Sequence, residues 1–197
     1  EYSLERGTLL IACIVCVVFA FLAHQQTLIW RTGELVYRNV LVHYPSTHLA
    51  HLGLGSMQYA QGHESQALES FTRAIELKPS SEAYYNIGVI YGNRGQTRLA
   101  MESYERAVEL LPGNALAQMN LATAYMQMDQ TEKAVPILEQ LRITDPNLIA
   151  VLYNLGSAYA LTGRAEEAVG AYQEFLEYRP GNAAALERLQ ELSSTES

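Results

Sequence analysis

Two short spacings in this chain carry residue types that do chemistry. Cys13 and Cys16 form a CxxC pattern, the spacing of a redox pair or of half a zinc site. His48 and His51 stand three apart, which on a helix places both imidazoles on one face, as a metal pair requires. Neither pair has the right surroundings. The cysteines lie among isoleucine, valine and alanine, and no histidine follows directly for haem attachment, so they read as small apolar filler. The two histidines lack a third ligand at metal spacing and read as ordinary surface or packing residues. His24, His43 and His63 stand alone. There is no phosphate loop and no nucleophile motif. The expectation is a protein without catalytic residues, cofactor or metal: not an enzyme.

Composition narrows the remaining classes. An apolar share of 49% over 197 residues supports a packed core. Thirteen basic against 21 acidic residues give a net charge of −8, which disfavours sequence-independent binding to phosphate backbones, so no nucleic-acid partner is expected. No Asn-x-Ser/Thr acceptor occurs. Tyrosine is abundant at 13, and most of these residues fall at repeating positions, where packing explains them first.

The repetition is what organises the chain. Pro45, Pro79, Pro112, Pro146 and Pro180 recur at intervals of 33 or 34. Between them small residues recur at Gly55, Gly88, Ala122 and Gly156, turn residues at Gly62, Gly95, Asp129 and Gly163, and alanines at Ala67, Ala100, Ala134 and Ala168. Large residues follow at Phe71, Tyr104, Leu138 and Tyr172. Small residues let two helices of a hairpin approach, a glycine turns the chain, large side chains fill the space between hairpins and proline stops the second helix. Residues 48–180 resemble the tetratricopeptide repeat (TPR) family on these positions. The third unit departs from the pattern at Ala122, Asp129 and Leu141, and Pro136 is expected to bend its second helix locally.

The resemblance implies an all-α fold: a helix-hairpin solenoid of four repeats (48–80, 81–114, 115–148 and 149–182, within a domain 45–180). Residues 183–197 follow as a capping helix and tail with a polar outer face. It also implies a concave face lined by the first helix of each pair, with Leu49, Leu52, Tyr85, Val89, Met119, Met126 and Tyr153 on it. Asn86, Asn120 and Asn154 recur at 34-residue intervals there. In the family asparagines at this position hydrogen-bond a bound peptide's backbone, but asparagine is also frequent in the repeat regardless of ligand. The row is mostly apolar and aromatic, which suits an apolar helix or a neighbouring subunit better than a charged tail.

Residues 1–44 read as a hydrophobic, then amphipathic, helix for assembly or membrane anchoring. Leu9 to Ala23 are 15 uninterrupted apolar residues, at the short end for a bilayer span, and nothing breaks a helix from there to Pro45. The flank carries Glu1 and Glu5 against Arg6, unlike the positive start of a secretion signal. Leu4 and Glu5 followed by TLLIACIVCVVFAFLA resemble the mature N-terminus of type IV pilin-like subunits, and a chain numbered from Glu1 without methionine fits their processing. That resemblance implies a filament whose apolar core is built from Glu1, Glu5, Leu9, Phe19, Phe21 and Trp30. Glu5 pairs there with a neighbour's amino terminus and sets register more than stability, since a buried carboxylate needs a partner.

A rival resemblance lies in LAHQQTLIWRTGELVYRNVLVHYPSTHLAHLGLG, which is similar to the junction after the last transmembrane helix of polytopic glycosyltransferases that end in TPR repeats. Trp30, Pro45, Ala50, His51, Leu54 and Gly55 carry it. Arg31 and Arg38 behind the apolar run argue for a cytoplasmic tail; the pilin resemblance puts the repeats outside the cell. The expectation taken forward is a self-associating, pilus-like surface filament, held in the membrane before assembly, with TPR domains as its outer sheath. The alternatives are a membrane-anchored TPR scaffold recruiting a protein partner and the terminal portion of a glycosyltransferase.

Overall fold

The computed structural model describes residues 33–195, and all of their regular structure is helical. The chain divides into two units, Glu1–Lys78 and Pro79–Ser197. Unit 1 contributes α1 (residues 33–43), α2 (His48–Ala60) and α3 (Glu64–Leu77). Unit 2 contributes α4 (Ser81–Asn93), α5 (Thr97–Leu110), α6 (Ala115–Gln127), α7 (Thr131–Thr144), α8 (Ala150–Leu161), α9 (Ala165–Tyr178) and α10 (Ala183–Thr195). Of the helix expected over residues 1–44, the part before residue 33 lies outside the described residues. Among the described residues no helix is long and apolar enough to cross a membrane.

Each hairpin is made by the same local chemistry. The turns between paired helices hold one residue at positive φ: Gly62 at 79°, Gly95 at 71° and Gly163 at 74°. The third turn uses Asp129 at 57°, one of the few side chains short and polar enough for the left-handed region. Ser80, Asn114 and Asn182 cap α4, α6 and α10 by accepting the N–H three residues on, at 3.2, 3.1 and 2.9 Å. The second helices end just before their prolines or turn residues. Pro136 does not interrupt α7, which runs unbroken through it.

Packing within a hairpin rests on a size match. A Cβ placed on Gly55 would stand 2.8 Å from the Phe71 ring, one on Gly88 2.6 Å from Tyr104, and one on Gly156 2.7 Å from Tyr172. In the third hairpin the small partner gains a methyl, as Ala122, and the large one becomes Leu138; both are fully buried. The total volume is conserved, which close-packed interiors demand. In unit 2 successive hairpins stack, α5 on α6 and α7 on α8, around one continuous core that includes Leu121, Leu138, Leu155 and Tyr172. Helix α10 lies on α9, burying Ala185 and half-burying Leu189 and Leu192 against that core, while the rest of its surface is exposed and mostly polar, apart from Leu186 and the alanines of its first turn.

Candidate functional site

The first helices of unit 2 share an orientation that follows from their buried stripe. Ala83, Ile87 and Ile90 of α4, Ala117, Leu121 and Ala124 of α6, and Val151, Leu155 and Ala158 of α8 all face the core. The adjoining stripe is left half-buried, and it holds Tyr85, Asn86 and Val89, then Met119, Asn120 and Met126, then Tyr153 and Asn154. These are the residues expected on the concave face. In unit 1 the two expected residues part company: Leu49 is 61% exposed, whereas Leu52 is buried, at 8%. The assembly residues Glu1, Glu5, Leu9, Phe19, Phe21 and Trp30 lie outside the described residues.

The stripe is held stiffly from below. The rings of Tyr85 and Tyr104 stand 6.1 Å apart, and Tyr153 meets Tyr172 and Phe175 at 5.5 Å each. Such tilted and edge-on pairs add to what burial alone contributes. Asn120 Nδ2 reaches the Tyr104 hydroxyl at 3.5 Å, and Ser157 Oγ lies 3.0 Å from the Tyr172 hydroxyl. Burial chiefly pushes the Tyr172 phenol up from its ordinary value, with the Ser157 hydrogen bond opposing. Two small clefts open along this surface. One, about 240 Å³, is lined by Val89, Asn93, Asn120, Thr123 and Gln127, with Tyr104 below. The other, about 280 Å³, lies beside α10 between Ala160, Leu161, Tyr172, Arg188 and Leu192. Both are too small for a drug-sized ligand but fit one or two side chains of a peptide.

Away from this face the structure contains a device that the sequence reading missed. Tyr125 Oη donates to Glu105 Oε1 at 2.7 Å and Tyr159 Oη donates to Glu139 Oε1 at 2.9 Å, each bridging one hairpin to the next. Burial, then the carboxylate beside it, pushes the Tyr125 phenol up to about 12 and raises Tyr159 in the same way. The signal was available: in both pairs the acid precedes the tyrosine by 20 residues. His51, read as a packing residue, bonds the Pro45 carbonyl at 2.9 Å. No cluster of three or more metal-ligating side chains occurs among the described residues.

These hairpins, with a small-large pair in each and a capped helix at the end, define an all-α helical-repeat protein. Models described as "Tetratricopeptide repeat" match residues 30–82, 60–115, 94–155 and 149–182, and the chain belongs to that family. It is similar to the "Small glutamine-rich tetratricopeptide repeat-containing protein 2" of Mycosarcoma maydis, 34% identical over 136 residues, covering 66% of this chain and 29% of that protein. The chain therefore spans less than a third of the length of that curated relative. Among solved structures it is similar to MamA, with TM-score 0.69 and 27% identity over 79% of this chain and 91% of that one. It also shares the fold of YrrB, described as a TPR protein with an unusual peptide-binding site, with TM-score 0.72 and 20% identity over 83% and 84% of the two chains. Proteins of this family are typically non-enzymatic and bind protein partners and peptides.

Proposed function

We propose that this chain is an interaction scaffold whose unit 2 binds an apolar segment of a protein partner along Tyr85, Val89, Met119, Met126 and Tyr153. The observation that carries this reading is the character of the stripe: half-buried, supported by aromatic pairs and free of charge along its centre. Methionines adapt to irregular apolar surfaces. Asn86 and Asn154 stand on the same stripe with no hydrogen bond of their own among the described residues, so their amides can meet a partner's backbone. None of these stripe residues is itself a lysine or arginine; the cation that meets them is Arg188 of α10, bonded to Tyr153 at the end of the stripe. Selection from a displayed peptide library, repeated on Met119→Glu and on Glu132→Lys as a control distant from the stripe, tests it. Apolar peptides lost by Met119→Glu and kept by Glu132→Lys are the expected result. Peptides retained by both variants would sink the assignment.

A second reading rests on the sequence of residues 1–32. The apolar run Leu9–Ala23 behind Glu5 supports a subunit that is held in a membrane and then self-associates into an extracellular, pilus-like filament with the repeats outward. The same run supports, with equal economy, a membrane-anchored scaffold or the end of a larger membrane enzyme. Electron microscopy of material sheared from cells separates them: filaments that disappear in Glu5→Ala are required by the first, and membrane particles without filaments exclude it.

A further inference from the structure

The grooves that Tyr125 and Tyr159 occupy in unit 2 are filled, whereas the cleft beside the matching residue of α2 in unit 1 is open. In α6 and α8 of unit 2 the filler is a tyrosine three residues after the helix's small residue. Tyr125 is held by Glu105 on α5 and carries the Lys133 ammonium of α7 5.2 Å from its ring centre. Tyr159 is held by Glu139 on α7 and carries the Arg164 guanidinium, at the start of α9, 4.2 Å from its ring centre. Each ring thus has a carboxylate before it and a cation after it, and stays 8% and 7% exposed respectively.

In unit 1 the matching position, three residues after Gly55, is Gln58. The carboxylate's position is the residue after the second helix's large side chain: Glu105 follows Tyr104 and Glu139 follows Leu138. In α1 Arg38 follows Tyr37. Glutamine is too short to span the groove. It turns instead to Ser70, whose Oγ donates to Gln58 Oε1 at 2.7 Å, and both are buried. Over this pair remains a cleft of about 920 Å³, walled by Arg38 of α1, His51 and Leu54 of α2, and Glu69 and Arg73 of α3.

We propose that this cleft docks a tyrosine side chain of a protein partner, supplying from outside the ring that Tyr125 and Tyr159 supply from within. Its walls specify that chemistry. Leu54 gives the ring an apolar floor. Arg38 stands where unit 2 has a carboxylate, and its guanidinium can lie against the ring face as that of Arg164 does on Tyr159. Arg38 is half exposed and bonded to Glu34 one turn earlier, which leaves it able to turn inward. Arg73 and Arg38 are balanced by Glu69 and Glu76, so a neutral side chain fits better than a charged one. The volume exceeds one ring and leaves room for the flanking backbone.

The test is nuclear magnetic resonance on the full chain, following the Gln58 side-chain amide and the Arg38 Nε–H during titration with N-acetyltyrosinamide. Saturable shifts at both signals are expected, with none from N-acetylleucinamide. They should vanish in Gln58→Tyr, where an internal ring fills the cleft, and weaken about threefold in Arg38→Ala, the loss of one exposed cation–ring contact. No shift at these signals, equal shifts from the leucine amide, or undiminished shifts in folded Gln58→Tyr would each overturn the proposal. Should Gln58→Tyr fail to fold, Arg38→Ala decides alone: unchanged binding there overturns it. Met119→Glu in unit 2 leaves this titration unaffected, so it stands apart from the peptide-binding stripe.

Discussion

Units 1 and 2 build their hairpins with the same size match and then finish the groove behind them differently. Gly55 accepts Phe71 in unit 1 as Gly88 accepts Tyr104 and Gly156 accepts Tyr172 in unit 2. Yet three residues after the small residues Ala122 and Gly156, unit 2 places Tyr125 and Tyr159, which bridge to a neighbour's carboxylate, and three residues after Gly55 unit 1 places Gln58, which bonds within its own hairpin to Ser70. The difference shows that the fold and the surface are governed by separate positions. Replacing one buried ring by an amide leaves the hairpin intact and opens a polar cleft on its back.

The strongest way to break this comparison is to carry unit 1's residue into unit 2. Tyr125→Gln should cost about 3 kcal/mol in urea unfolding, near the lower range for emptying a buried aromatic site; a loss below measurement would show that the ring does not seal the groove. Gly156→Ala comes next, because its methyl would meet Tyr172 at 2.7 Å. A loss of about 1 to 3 kcal/mol is expected for such overpacking. Adding Tyr172→Leu should recover part of it, since Ala122 and Leu138 already coexist; strictly additive losses in the double-mutant cycle would refute the size match.

Smaller effects sharpen the contrast. Tyr159→Phe removes only the hydroxyl that bonds Glu139 and should cost about 1 kcal/mol. The Tyr125 phenol, pushed up to about 12 from an unfolded value near 10, must stay protonated to donate to Glu105. Its contribution is therefore complete below pH 10 and is lost as the pH rises towards 12, so alkaline unfolding of unit 2 should flatten in Tyr125→Phe. Unchanged pH dependence in that variant would mean that Tyr125 titrates as an ordinary phenol. Least of all, Arg73→Ala breaks an exposed pair with Glu76 and should move stability by a few tenths of a kcal/mol in thermal melts.

Much of the framework is legible in the sequence. The proline interval, the small residues and the turn glycines are local steric requirements, so each is written where it acts. The turn at Asp129 was readable too, because few other residues tolerate that backbone. Leu52 was harder: the apolar row that marks a lining residue equally marks a core residue, and tertiary packing decided between them by burying it. The tyrosine bridges escaped for another reason. Their partners are 20 residues apart and on different hairpins, and the function of the acid is invisible until the helices are stacked. The open cleft of unit 1 is harder still, being the absence of a ring at Gln58 rather than the presence of a motif.

The size match between a small residue and its ring is settled inside one hairpin, since Gly156 and Tyr172 travel on the same stretch of chain. A hairpin copied to another place by gene duplication would bring that match with it intact. The tyrosine bridges behave otherwise. Tyr159 finds its carboxylate on the preceding hairpin, so a copy inserted after a neighbour without an acid at the place of Glu105 or Glu139 would arrive with a buried phenol and no carboxylate to accept from it. Hairpins of this chain are thus freely copied but not freely shuffled, and their order is written in who supplies whose acid.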